Sequence, residues 1–444
     1  MTEDEIERKA KAEYEASAES GLQLPWAEIP EARRAMWREV VQGNAGAAER
    51  YLNYPLAGLK VLDFSRVLAG PFAGRMLSDL GADVVKVEPP DGDVTRLWGR
   101  VIGGVPGYYH QQNAGKRDIS IDLRHPGAKD LVFDLVRQAD ILIENYRPDV
   151  MPRLGLGYPS LSAVNPRLIM LSISGFGANG PESRRPAYAP IIHAEVGLLA
   201  RAVRRGKVPS RDLPLSVADT NASLHGLVAV LSAVILRERT GRGQHIDMAM
   251  IDATMVTDDQ LHYELEDSED TMGLPNDVWE TGAGPILISA DFRHLWRLLT
   301  SLEGLPEPAT AGLSLGAKIA ARRAAVDAYL RGLGGWDEVE ASMGRINVAW
   351  GRVRDGAALW DQPTIRHRGS IVEIDDRAGG TRPIPQSPYR FSDARSGVRG
   401  PAPHLGEHNA EVLAEWLGMS ATQIAALVTE GIMARRDPAN EAPV

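Results

Sequence analysis

From residue 59 to residue 250, short unbroken apolar runs alternate with stretches of helical period. The runs LKVLDF (59–64), VVKVE (84–88), DISIDL (118–123), DILIE (140–144), RLIMLSI (167–173) and HIDMAM (245–250) read as strands. They do not alternate apolar with polar, as strands covered on both faces need not. Residues 72–80, 128–139 and 221–239 carry the spacing of helices. Gly81-Ala82-Asp83 turns the first helix into the second strand, and Gly241-Arg242-Gly243-Gln244 closes the third helix. Strand, helix and strand in this order are a βαβ unit, so a parallel sheet is expected.

The flanks differ. Residues 1–53 read as a helical extension, with a charge-rich helix over 3–18 and a second over 30–41 that opens on Pro30. A CoA-binding α/β domain is expected over 54–265, for the reasons below, and a smaller second domain over 270–395. Helical spacing returns at 317–333, and residues 366–392 are rich in strand and turn signals. A helical segment over 405–444 is expected to return to the large domain.

Composition narrows the chemistry. The 444 residues are 44% hydrophobic and 24% charged, the mixture of a globular chain. The absence of cysteine removes disulfides, thiolate metal sites and a cysteine nucleophile together. It fits a cytoplasmic protein. The N-terminal residues are not apolar enough for a signal peptide, and no run of about 18 apolar residues suggests a membrane span. A formal net charge of −10 disfavours nucleic acid, though a few arginines and helix N-termini suffice for an anionic small ligand. No metal-ligand spacing is present, and His193 and His225 read as packing residues in apolar segments.

Candidate chemistry lies at strand ends. The loop from Arg66 to Gly74 joins the first strand to its helix, where small residues allow close approach of a nucleotide. Lys116, Arg117 and Arg124 surround the strand at 118–123. Glu144-Asn145-Tyr146-Arg147-Pro148 ends another strand, with Arg153 beyond it. Asn145 and Tyr146 could cradle an adenine or pantetheine, and Arg147 and Arg153 could pair with phosphates. Each is equally readable as a solvated turn. Asp219 ends a short apolar run ahead of the long helix, where a carboxylate either caps the helix or does chemistry near the positive end of its dipole.

Taken together, LAGLKVLDF (56–64), LGADVVKVE (80–88), NAGKR (113–117), ENYRP (144–148), NPRLI (165–169), SGFG (174–177) and TGRGQ (240–244) carry a resemblance. The chain resembles the class III coenzyme A transferases of the CaiB/BaiF type, which include formyl-CoA:oxalate and carnitine CoA-transferases and, as relatives, 2-methylacyl-CoA racemases. The match is close over 55–260 and looser over 340–435. It implies a Rossmann-like α/β domain plus a smaller domain in an interlocked homodimer, a heterodimer being the other arrangement. It implies transfer of CoA from an acyl-CoA to a free carboxylic acid, with Asp219 as covalent nucleophile. It further implies CoA contacts at Leu68, Ala69, Ile121, Asp122, Leu123, Arg124, Asn145, Tyr146, Arg147, Arg153 and Tyr188. CoA arrives as substrate, with no tightly bound cofactor, metal or ATP.

Three departures limit the resemblance. Ala187-Tyr188-Ala189 replaces the Gly-Tyr-Asp or Gly-His-Asp of other members, which argues against a racemase or lyase, since an α-proton needs an acid–base pair. Pro89 stands where some members place an arginine. Only Gly282-Ala283-Gly284-Pro285 matches the area of a glycine-rich flap, so oxalate and formate are not carried over. A non-catalytic subunit of a heteromeric transferase is the remaining alternative.

Overall fold

A computed structural model describes residues 2–16, 34, 38, 54–206, 211–266 and 276–434. By contacts, the chain divides into one unit of 1–259 with 369–444 and a second of 260–368. The charge-rich segment at the start forms helix α1 (Glu3–Ala16). The helix expected over 30–41 lies outside the described residues, save for Arg34 and Arg38.

The apolar runs are strands. The first unit contains β1 (Lys60–Asp63), α2 (Ala69–Asp79), β2 (Asp83–Glu88), α3 (Gly107–Asn113), β3 (Arg117–Ser120), α4 (Ala128–Gln138), β4 (Ile141–Glu144) and β5 (Ile169–Ser174). Then come α5 (Ala189–Glu195), α6 (Val217–Thr240), β6 (His245–Ala249) and α7 (Met250–Thr257). The six strands form one sheet in the order β3-β2-β1-β4-β5-β6. All pairs are parallel, with Val61 opposite Val84 on one side and Ile141 on the other. This is the doubly wound order, which reverses direction between β1 and β4.

Neighbouring residues of each strand feed opposite layers, which is why the runs are apolar throughout. Leu62, Val85, Leu142 and Met170 pack with α4. Val61, Val84, Ile141, Ile169 and Leu171 pack with α2, α5, α6 and α7. By length and composition α6 could cross a membrane. Here Ala218, Ala222, Leu227, Val230 and Ala233 on one side of it are buried in the second of these layers.

Helices α2 and α6 begin about one turn before the sequence pattern suggests. Pro71 is the third residue of α2 rather than its first, a position where its missing N–H leaves no helical bond unmade. For α6 the start at Val217 places Asp219 within the first turn, with Ser216 as N-cap. Asp219 is therefore not the N-cap.

The second unit holds β7 (Asn276–Thr281), β8 (Gly284–Ser289), α8 (Phe292–Leu302), α9 (Leu315–Gly332), α10 (Trp336–Ile346) and β9 (Ala349–Arg352). The strands form an antiparallel sheet with β8 in the centre, and Ile286, Ile288, Leu295, Leu299, Leu330 and Met343 fill its core. Gly282 and Ala283 form the tight β7–β8 turn, whose Ala283 and Gly284 N–H groups donate to Thr281 Oγ1.

Residues 369–395, grouped by sequence with the small domain, pack instead with the first unit. The hairpin β10 (Ile371–Asp375) and β11 (Thr381–Pro385) docks through main-chain acceptors. Arg75 donates to Pro385 O at 2.5 Å, Arg382 to Val105 O at 2.8 Å, and Gly397 N to Asp79 O at 2.8 Å. Strand propensity alone does not reveal which domain a hairpin will cover. Beyond it, α11 (Asn409–Leu417) and α12 (Ala421–Thr429) add Val412, Leu413, Trp416 and Ile424 to the α4 layer.

Below the carboxyl ends of the central strands lies a buried ionic cluster. Lys116 Nζ donates to Asp63 Oδ2 at 2.7 Å, to Pro71 O at 2.8 Å and to Asn113 Oδ1 at 2.9 Å. Burial pushes Lys116 down to about 8 against the pull of Asp63. Burial also acts to raise Asp63, but Lys116 and Lys86 outweigh it and hold the carboxyl below its ordinary range. Gly74 makes room for the pair, since a Cβ there would lie 2.6 Å from Asp63 Oδ2. Removing one partner of such a pair leaves a buried charge alone, at a cost of about 3–5 kcal/mol. Lys116→Met is expected to lower stability by that order in denaturant titration. The double variant Asp63→Leu/Lys116→Met should regain most of it, and a harmless single variant would contradict the assignment.

Candidate active site

The loops leaving β1 and β4 meet at the reversal point of the sheet. Arg66 N donates to Asn145 Oδ1 and Asn145 Nδ2 donates to Arg66 O, both at 2.8 Å. This reciprocal pair ties the two loops together. Val67 adopts a φ of 67°, unusual for a β-branched residue, and its N–H is held by Asp93 Oδ2 at 3.0 Å. Such backbone costs about 1–3 kcal/mol and persists only where its surroundings hold it. Lys86, buried beneath, donates to Ser65 O at 2.7 Å and pairs with the same Asp93 oxygen at 3.3 Å.

Two clefts open on this point. One, of about 410 Å³, is lined by Ala69, Asn145, Tyr146, Arg147, Arg153, Tyr188 and Asp219 among the positions singled out in the sequence, and also by Arg66, Arg185 and Met250. The other, of about 540 Å³, runs over the ends of β2 and β3 and takes in Asp122, Leu123 and Arg124. Arg66, Tyr146, Val150 and Arg153 line both, so the clefts adjoin. Ile121 and Leu68 line neither. Ile121 is buried and bridges to Met433, and Leu68 is the residue before α2. Pro89 gives the second cleft no charge. Arg124 and Arg153 are exposed and held by neighbouring carboxylates, Asp122 at 2.9 Å and Asp149 at 3.1 Å.

Asp219 is buried and lines the first cleft. Its carboxylate meets the first N–H of α2, from Ala69, and the first N–H of α5, from Ala189. It stands itself in the first turn of α6. Three helix N-termini therefore converge on one carboxylate, each bringing partial positive charge. Burial still dominates: it pushes Asp219 up to about 6, while the Ala189 and Ala69 N–H groups pull the other way. Tyr108 is pushed up to about 12 by burial, then by Asp219 and Asp93, so its hydroxyl keeps its proton. Glu144, at the end of β4, is pushed up to about 7 by burial against the Ser172 hydroxyl and the Tyr146 N–H.

A desolvated carboxylate, ionised at neutral pH and open to a cleft, can attack an electrophilic carbonyl or hold a cation. The surrounding N–H groups can hydrogen-bond an anionic oxygen as readily as they bond the carboxylate. Arg66, Tyr108, His193 and the Ala189 N–H were not read as parts of this site from sequence. Arg66 lay within a singled-out loop. The others gave no motif, because what they contribute is position.

Comparison with known proteins places the chain in a family. The model of the family described as CoA-transferase family III matches residues 56–409. A succinate–glutarate CoA-transferase of Agrobacterium fabrum is 32% identical over 81% of this chain and 95% of its own. The β subunit of a succinyl-CoA–L-malate CoA-transferase of Chloroflexus aurantiacus is 31% identical over 83% and 96%. Among solved structures, a CAIB/BAIF family protein from Brucella suis superposes with a TM-score of 0.69 at 35% identity, covering 82% of this chain and all of its own. The doubly wound domain is thus that of an enzyme that transfers CoA. The chain belongs to CoA-transferase family III.

The raised position of Asp219 has a consequence for stability. Its folded value of about 6 lies above the ordinary 3.8, so the folded state binds the proton more tightly than the unfolded chain. The favourable contribution is complete below about pH 4 and lost as pH rises through about 6. Above that the ionised carboxylate weakens the fold by on the order of 3 kcal/mol. Asp219→Asn is therefore expected to raise the melting temperature at pH 7.5, with the gain shrinking as pH falls from 6 to 4. A gain that does not vary with pH would contradict the burial argument.

Proposed function

We propose that this enzyme moves CoA from an acyl-CoA to a free carboxylic acid through covalent intermediates on Asp219. The observation that carries the reading is the buried, N–H-lined carboxylate in an arginine-rimmed cleft. The Asp219 carboxylate attacks the thioester carbonyl, forming an acyl–aspartyl anhydride and releasing CoA thiolate. The thiolate attacks the aspartyl carbonyl, giving an aspartyl–CoA thioester and releasing the first acid. The acceptor carboxylate attacks that thioester, forming a second anhydride, and the thiolate then takes up the acceptor's acyl group. Asp219 is regenerated, and every bond broken is matched by one of similar energy. Splitting the exchange in this way is ordinary covalent catalysis.

The tetrahedral centres formed on Asp219 carry an oxyanion that the Ala69 and Ala189 N–H groups can stabilise. Ala189 offers only its main chain there, so no second side-chain acid stands at that position to shuttle an α-proton. This favours transfer over racemisation. Arg147 and Arg153 suit the phosphates of CoA, and Arg124 lines the adjoining cleft. Dicarboxylic acids in the names of the two curated relatives point to a dicarboxylate, and Arg66 offers a cation for its second carboxylate. A dimer is also part of the proposal: Leu224, Val228 and Ile235 stand exposed on the outer side of α6. A relative named as a β subunit supports the alternative of a heteromeric partner. Purification with a second, similar chain would favour it.

Two outcomes are expected. Wild-type enzyme incubated with succinyl-CoA should form an adduct that hydroxylamine traps on the peptide containing Asp219. Asp219→Ala should form none and lose several orders of magnitude in turnover while still binding CoA; transfer at an undiminished rate would refute the role. Arg153→Ala should raise the Kd for CoA about tenfold, from loss of one charge-assisted contact. Unchanged affinity in calorimetric titration would remove Arg153 from the phosphate site.

A further inference from the structure

His193 lies on α5 four residues after Ala189, so both face the same way. Both are buried. The Ala189 N–H acts on the Asp219 carboxylate and favours its charge. Four residues on, the His193 ring touches the same turn of α6 from the side. Its Nε2 accepts the N–H of Ala218 at 3.1 Å, and its Nδ1 lies 2.8 Å from Asp212 Oδ1. The geometry fixes the proton. An Nε2 that accepts a main-chain N–H carries no hydrogen, so Nδ1 does, and donates it to Asp212.

The bond to Ala218 answers a need of α6. The first N–H groups of a helix have no partner within it, and Ser216, the N-cap, makes no side-chain capping bond. Ala218 is the residue before Asp219. An imidazole from another helix therefore does what the N-cap side chain does not, and holds the backbone that carries the carboxylate. A ring rotated or protonated at Nε2 would set a donor against the Ala218 N–H.

We infer that His193, oriented by Asp212, is a positioning residue for Asp219: it clamps the first turn of α6 so that the carboxylate faces the cleft at a fixed angle. This rests on the reading of Asp219 as nucleophile. Neither His193 nor Asp212 lines the cleft. Their effect belongs in the rate of attack rather than in CoA binding, because misplacing a reacting group by about 1 Å can cost on the order of a hundredfold in rate.

The test compares two amides. In His193→Gln the amide oxygen can reach the place of Nε2 and accept from Ala218. In His193→Asn it reaches only as far as Nδ1. Single-turnover adduct formation from saturating succinyl-CoA should be about tenfold to a hundredfold slower in His193→Asn, with the Kd for CoA within about twofold of wild type. His193→Gln should recover the rate to within about threefold. Melting temperatures measured alongside separate this from plain loss of packing, which would affect both variants alike. Asp212→Ala, at a partly exposed position, should slow adduct formation severalfold and serves if His193→Asn does not fold. Equal adduct rates in the two amide variants, or a wild-type rate in a folded His193→Asn or Asp212→Ala, would overturn the inference. An adduct formed by Asp219→Asn would instead refute the nucleophile.

Discussion

Burying a carboxylate without a counter-charge is the constraint around which the first unit is arranged. Asp219 has no lysine or arginine among the groups that act on it most strongly; it is held by main-chain N–H groups and by partial charges at helix ends. Those dipoles do not fully offset the loss of water, and the group remains above its ordinary value. A full cation in contact would stabilise the charge further and blunt the carboxylate as a nucleophile. Fixed dipoles leave it ionised at neutral pH and reactive.

This arrangement needs three helix starts to act on one carboxylate, and the doubly wound order supplies the place. At the reversal between β1 and β4 the following loops diverge, leaving a crevice above the strand ends. The β1 loop is then forced into shape. Val67 takes a left-handed backbone, Asp93 and Lys86 hold it from beneath, and Asn145 ties it to the β4 loop. Deeper still, Glu88 and Asp118 lie together in the interior. Burial would raise Glu88, but Arg96 prevails and holds it well below its usual range. Burial and the charge of Glu88 drive Asp118 well above its ordinary range. Buried charge thus supports the site from below while dipoles shape it from above.

Much of this was legible in the sequence, for a physical reason. A parallel sheet covered on both faces must be written as continuous apolar runs, and all six such runs are strands. Positions at strand ends could be found because loops follow strands: Asn145, Tyr146, Arg147 and Asp219 all line one cleft. The helix starts were less legible. The helical spacing began at residue 72, past the Ala69 N–H, and the polar Ser216 and small Ala218 hid the first turn of α6. His193 was read as packing because its own segment is apolar and its partner Asp212 lies 19 residues away. The hairpin at 371–385 carried strand signals but none that named the unit it covers.

Heavy-oxygen transfer tests the account most directly. If Asp219 carries both anhydrides, each turnover releases the donor acid with an oxygen from Asp219 and returns to Asp219 an oxygen from the acceptor. Enzyme cycled with succinyl-CoA and an acceptor acid labelled with heavy oxygen should therefore show the label by mass spectrometry on Asp219 and on no other residue, with none appearing when succinyl-CoA is omitted. Efficient CoA transfer with Asp219 unlabelled would contradict the account.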